Sequence, residues 1–173
     1  ASDVYKRQAI GDLHWIEVEA SGAARVRRTL STGLGSLVDL DRDPASGRIA
    51  ALDVDGRIRE LDPLTQRWSE LPGGPKGRER QLSYGRAGTL LASCARESLQ
   101  VRLCVWHRPS GALAYELVVP TRSSAGFCFS PDGTRVVLAS SAELLVLEAL
   151  TGRLLLTMQD HKRAIHAVGF LPD

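Results

Sequence analysis

Four histidines and three cysteines have the widest chemical range in this sequence, and their spacing fits none of the common metal or nucleophile patterns. His14, His107, His161 and His166 include no pair at zinc spacing with a cysteine and no His-Glu-x-x-His run. His161 and His166 fall across an expected loop and strand, so His161 reads as a turn residue and His166 as a partly buried strand residue. Cys94, Cys104 and Cys128 are odd in number and follow no close pairing pattern, which argues against a disulfide framework. Each sits in an apolar stretch and reads as a small buried hydrophobe. Gly33-Leu34-Gly35 and Gly73-Gly74-Pro75-Lys76-Gly77 are glycine-rich, yet neither opens a helix, so the geometry that cradles a phosphate is missing. No serine occupies a nucleophile elbow, and the acidic residues form no catalytic pair. No catalytic residue, metal site or cofactor is expected, and the chain reads as a non-enzyme.

Recognition of negative charge remains. Lys76, Arg78, Glu79 and Arg80 form a polar cluster in one connection, and Arg96, Arg122, Lys162 and Arg163 fall in loops that the repeats below make equivalent. Arg78, Arg80, Arg96, Arg122, Lys162 and Arg163 are therefore the candidate partner-binding rim. Arginine suits such a role because its planar fork pairs with carboxylates and stacks on aromatic rings. Net charge is only +2, too little to argue for nucleic acid or an anionic membrane. The rim loops also lack the aromatic residues that single-stranded nucleic acid needs. No apolar run approaches the ~20 residues required to span a bilayer.

The elements that would position these residues follow from a spaced echo. Phe129-Ser130-Pro131-Asp132 returns as Phe170-Leu171-Pro172-Asp173, 41 positions later. That period suits a four-stranded propeller blade of ~40–45 residues. Gly111 to Gly152 and Gly47 to Gly88 repeat it at 41, and Gly88 to Gly133 stretches it to 45. The extra four residues are expected in a charged loop over 95–100. Strands are expected at about 37–41, 48–53, 57–62 and 67–71, then 81–84, 89–94, 101–107 and 112–117, then 125–129, 135–140, 144–148 and 153–158. Asp55-Gly56 is a two-residue hairpin signal. Gly47, Gly88 and Gly133 each fall between the first two strands of a unit. The runs 136–139, 144–147 and 154–156 are continuously apolar, as in strands buried on both faces. The expected core of the last full unit is Phe127, Phe129, Val137, Leu145, Leu147 and Leu155.

The resulting division is a partial blade over 9–32, blades over 33–75, 76–120 and 121–160, and the first strand of another over 161–173. Asp3-Val4-Tyr5-Lys6-Arg7-Gln8 reads as the translated end of a transposon used in library preparation, so 1–8 are expected to stand outside the fold as a scar or disordered tail. The fold expected is all-β, a partial β-propeller of four-stranded antiparallel blades in an open arc, completed by flanking sequence.

Phe129-Ser130-Pro131-Asp132-Gly133, Val146-Leu147-Glu148 and Leu150-Thr151-Gly152 together resemble a WD-repeat β-propeller. The tryptophan of the family's strand-three signature is kept in Val105-Trp106-His107, its aspartate in Leu61-Asp62, and Asp160-His161 is similar to its Gly-His pair. The resemblance is good over 81–173 and rests on register alone over 10–75. It implies a polar relay within each blade, of which Ser93 and Trp106 would be two members. No blade carries the full set, so burial is expected to hold the blades together. The function implied is a non-catalytic scaffold, cytoplasmic, binding an acidic protein or peptide. The alternative is an accessory propeller of a larger enzyme, such as a protein kinase.

Overall fold

Short apolar runs separated by turns that carry aspartate and glycine can pair only with their neighbours, and this chain folds as a succession of antiparallel hairpins. The computed structural model describes residues 2–7, 11–19, 21, 23–85, 88–121 and 126–171, and of 2–7 and Glu79 the backbone alone. Sheet I contains β1 (Ser2–Arg7), β2 (Asp12–Val18) and β3 (Ala24–Ser31). Sheet II contains β4 (Leu37–Arg42), β5 (Ile49–Asp53), β6 (Ile58–Asp62) and β7 (Arg67–Leu71). Sheet III contains β8 (Arg78–Tyr84), β9 (Leu90–Glu97), β10 (Gln100–His107) and β11 (Ala112–Pro120). Sheet IV contains β12 (Phe127–Phe129), β13 (Arg135–Ser140), β14 (Glu143–Glu148) and β15 (Leu154–Met158). In every sheet, chain neighbours are sheet neighbours. The described residues contain no α-helix, and no helix is long and apolar enough to cross a membrane.

Gly47, Gly88 and Gly133 all lie between the first and second strands of their sheets, at φ of 72°, 63° and 74°, where a side chain is strained. At Gly88 space forbids one as well, because a Cβ would fall 2.0 Å from the Asp43 carboxylate of sheet II. Aspartates close two of these turns. Asp43 accepts the N–H groups of Ala45 and Ser46 at 3.1 and 3.0 Å. Asp132 accepts the Ser130 hydroxyl, the Thr134 N–H and the Thr134 hydroxyl. These bonds, Ser130's foremost, draw the Asp132 carboxyl down to about 2 from the usual 3.8. A folded value below the unfolded one stabilises above the unfolded pKa, and the effect fades as the carboxyl protonates. Urea midpoints should therefore fall between about pH 5 and about pH 2.5, and Asp132→Asn should flatten the decline. A midpoint constant over that window would contradict this role for the turn.

The sheets stack face to face, with sheet III in the middle. Leu90, Ala92, Cys94, Val101, Leu103 and Val105 pack against Phe127, Val136, Leu138, Leu145 and Leu147 of sheet IV. The alternate residues Leu91, Cys104 and Trp106 pack against Ala50, Leu52, Ile58 and Leu71 of sheet II. This two-sided burial explains the continuous apolar run of β9.

Side chains link the first strands of successive sheets. Asp39 and Asp41 of β4 accept the N–H groups of Leu82 and Tyr84, each at 2.7 Å. Gln81 of β8 donates to the Phe127 carbonyl at 3.0 Å and accepts the Phe127 N–H at 3.1 Å. The bonds of the neutral Gln81 contribute roughly 0.5–1.5 kcal/mol each, and those to the carboxylates roughly 1.5–3 kcal/mol.

A buried ionic cluster joins sheets II and III. Glu60 is 1% exposed. It accepts the Tyr84 hydroxyl and the Arg108 Nε, both at 2.6 Å, and a further bond from Arg108 Nη2. Arg48 spans Glu60 and Asp62 at 3.0 Å each. Polar links therefore act beside apolar burial, contrary to the expectation from sequence. Ser93 and Trp106, the two members of the relay that the resemblance implies, are not linked: the Trp106 Nε1 donates to the Pro72 carbonyl at 2.8 Å, and the Ser93 hydroxyl is buried without a partner.

Other expectations are corrected. Ser2–Arg7 does not stand outside the fold; β1 pairs along its whole length with β2. Residues 95–100 form no long loop, because β9 and β10 extend to a two-residue turn with Ser98 at φ 56°. No strand forms over 161–171; the segment makes a backbone bond from the Ile165 N–H to the Ser141 carbonyl at 2.7 Å. Val137 is buried on the face opposite Phe127, since Phe127 pairs with Leu138 and Cys128 with Val137. Leu155 is 41% exposed, not core. A register shift pairs Val146 with Leu156 and Leu147 with Leu154, leaving Leu155 as the extra residue of a bulge. The run 154–156 lies on an edge strand and is exposed throughout.

Candidate partner-binding surface

A concentration of cations arises where a chain reversal meets a hairpin. The connection from β7 to β8 runs through Pro72-Gly73-Gly74-Pro75-Lys76-Gly77 at the same end of the strands as the β9–β10 turn. Close approach requires its glycines. A Cβ on Gly74 would fall 1.9 Å from the Gly56 carbonyl, and one on Gly77 would fall 2.4 Å from the Arg96 carbonyl. The connection therefore lies against the hairpin and encloses a cleft of about 840 Å³ lined by Lys76, Arg78, Arg96, Arg102, Glu97 and Glu116 among others.

Arg78 and Arg96 face each other directly across the β8–β9 ladder. Like charges so placed repel, which destabilises the pair by a few tenths of a kcal/mol and concentrates positive potential between them. The Arg96 Nη1 donates to the Ser98 carbonyl at 3.3 Å. The Lys76 N–H donates to Glu97 at 3.1 Å, leaving its ammonium at the exposed rim. Arg102 is engaged differently. Its Nε reaches both Glu97 oxygens at 3.0 Å, and its Nη1 reaches Glu116. The Glu97 bond, with the charges of Glu97 and Glu116, raises the Arg102 pKa and keeps that guanidinium neutralised as a pair. The described lining carries more cations than carboxylates, with Lys76, Arg78, Arg96 and Arg102 against Glu97 and Glu116.

Of the six rim residues expected from the sequence, the structure brings Arg78 and Arg96 into this cleft. Arg80 is half-buried, with its Nε buried and unpartnered, and is not among the lining residues. Lys162 and Arg163 are exposed beyond β15, on the segment that bonds to the β13–β14 turn, and do not line the cleft either. Arg122 lies outside the described residues. Sequence reasoning missed Arg102, Glu97 and Glu116. A two-residue turn at Ser98-Leu99 would have set Glu97 and Arg102 diagonally across a hairpin, but reading 95–100 as a loop concealed that pairing.

The other polar groups singled out above are occupied or isolated. The His14 Nδ1 bonds to the Thr29 hydroxyl at 2.8 Å and the His107 Nδ1 to the Ser110 hydroxyl at 3.3 Å. His161 and His166 are exposed. Burial pushes the Cys94 and Cys104 thiols up to about 12, so both stay protonated at neutral pH. Among the described residues, no three His, Cys, Asp or Glu side chains gather where they could hold a metal ion. No protein-family model matches the chain, and none of the curated proteins compared with it is similar.

Proposed function

We propose that this chain is a section of a propeller-like array of the WD-repeat kind, and that it serves as a non-catalytic scaffold capturing an acidic protein or peptide surface. The array reading is supported by three units built alike, with first strands β4, β8 and β12 joined in series by Asp39, Asp41 and Gln81. It is supported further by a register shift that recurs at Trp15/Ile16, Val105/Trp106 and Val146/Leu147, each time opposite a last strand. The observation that carries the binding role is the cleft whose described lining sets four cations, Lys76, Arg78, Arg96 and Arg102, against two carboxylates, Glu97 and Glu116.

A cationic cleft attracts an anionic surface over several ångströms, raising its association rate more than its final affinity. A fluorescent glutamate-rich peptide is a sufficient probe. At low salt, Lys76→Glu combined with Arg78→Glu should weaken its binding about tenfold and flatten the salt dependence of its association rate. Lys76→Arg should leave binding intact. Equal binding by the double variant, with an unaltered melting curve, would remove this cleft as the capture site.

A further inference from the structure

A second groove lies between sheets I and II, at the end of the strands opposite the basic cleft. Its volume is about 270 Å³. Trp15 and Leu30 of sheet I and Ile49, Leu61 and Pro63 of sheet II form its apolar walls. Arg28 of β3 and Arg42 at the end of β4 also line it, and no aspartate or glutamate does. Other clefts on the described surface differ in this respect. They include Glu97 and Glu116, Asp55 and Glu70, Glu148, or Asp43.

Arg28 is held by an uncharged partner, and no carboxylate lines the groove beside either guanidinium. The Arg28 Nη2 donates to the uncharged Gln66 side chain at 2.6 Å, which orients it and leaves its charge in place. Arg42 is exposed and lies near enough to Asp43 to help lower that carboxyl's pKa. Asp43 is already bonded to the Ala45 and Ser46 N–H groups and to the Ser46 hydroxyl. Sites for whole cofactors or drug-sized ligands run from roughly 300 to 1,000 Å³. This groove falls below that range and matches a single large side chain. An apolar slot bordered by two cations favours a residue that pairs bulk with an adjacent negative charge.

We propose that the groove seats one phenylalanine or leucine side chain of a protein partner, with the partner's neighbouring acidic side chain held by Arg28 and Arg42. The apolar walls supply affinity and the guanidiniums select the sequence. This site is separate from the basic cleft and does not depend on the function proposed for it.

The test uses the full chain and blocked tetrapeptides, read by the fluorescence of Trp15 against a Trp15→Phe control. Ac-Ser-Phe-Glu-Ser-NH2 should bind saturably. Its glutamine counterpart should bind about threefold more weakly, as expected for an exposed ion pair. Ac-Ser-Ala-Glu-Ser-NH2 should bind at least about tenfold more weakly, for want of the buried ring. Arg28→Gln and Arg42→Gln, both at exposed positions, should each erase the preference for glutamate over glutamine. The proposal is overturned by an absence of saturable binding, by equal affinity for the glutamate and glutamine peptides, or by tighter binding of a peptide ending in a free phenylalanine carboxylate.

Discussion

Replacing Glu60 by alanine is expected to destabilise the fold by about 3–5 kcal/mol. Glu60 is the common acceptor of Tyr84, Arg108 and Arg48, and it is 1% exposed. Its removal would strand the Arg108 guanidinium, whose side chain is 6% exposed and whose Nη1 already lacks a partner. An uncompensated buried charge costs far more than an intact pair contributes. The double change Glu60→Leu with Arg108→Met should accordingly restore part of the loss, because it removes the stranded charge and retains apolar volume while the Tyr84 hydroxyl still lacks its acceptor. Urea unfolding of the two variants distinguishes the cases. A single-variant loss below about 1 kcal/mol, or a double variant as unstable as the single, would show that the loss does not arise from stranding Arg108.

A second large effect is expected from Leu145→Ala, which should cost about 2–5 kcal/mol, while Leu155→Ala should cost less than about 1 kcal/mol. Leu145 is 9% exposed and packs in the core between sheets III and IV. Leu155 is 41% exposed on the edge strand β15. The two residues share a type and a sheet, so the contrast isolates burial. Similar losses at both positions, measured by chemical denaturation, would mean that β15 is covered and that the register of sheet IV is different.

Much of the fold is local and was therefore legible in the residues. Asp-Gly turns and short β-branched runs dictate hairpins between chain neighbours, and a hairpin needs no information from distant sequence. The all-β class, the first-to-second-strand turns at Gly47, Gly88 and Gly133, and most strand limits follow from that. The basic character around Lys76, Arg78 and Arg96 was legible for the same reason, since 76–78 and 96 are brought together by a single adjacent strand pair.

What the residue pattern left open depends on how sheets stack and where strands slip. A bulge adds one residue and reverses the inward and outward faces beyond it, so Leu155 could be placed only once Val146 and Leu147 had partners. Glu60 and Arg108 are 48 positions apart, and nothing in either neighbourhood marks them as a pair. Each is a charged residue in an otherwise ordinary strand or turn until sheets II and III meet face to face. The groove between sheets I and II has the same origin, drawing Trp15 and Arg28 from one sheet and Leu61 and Gln66 from the next. Turn chemistry and apolar periodicity act over a few residues and determined the strands. Burial of charge and the shape of clefts are properties of surfaces in contact, and only the tertiary structure decided them.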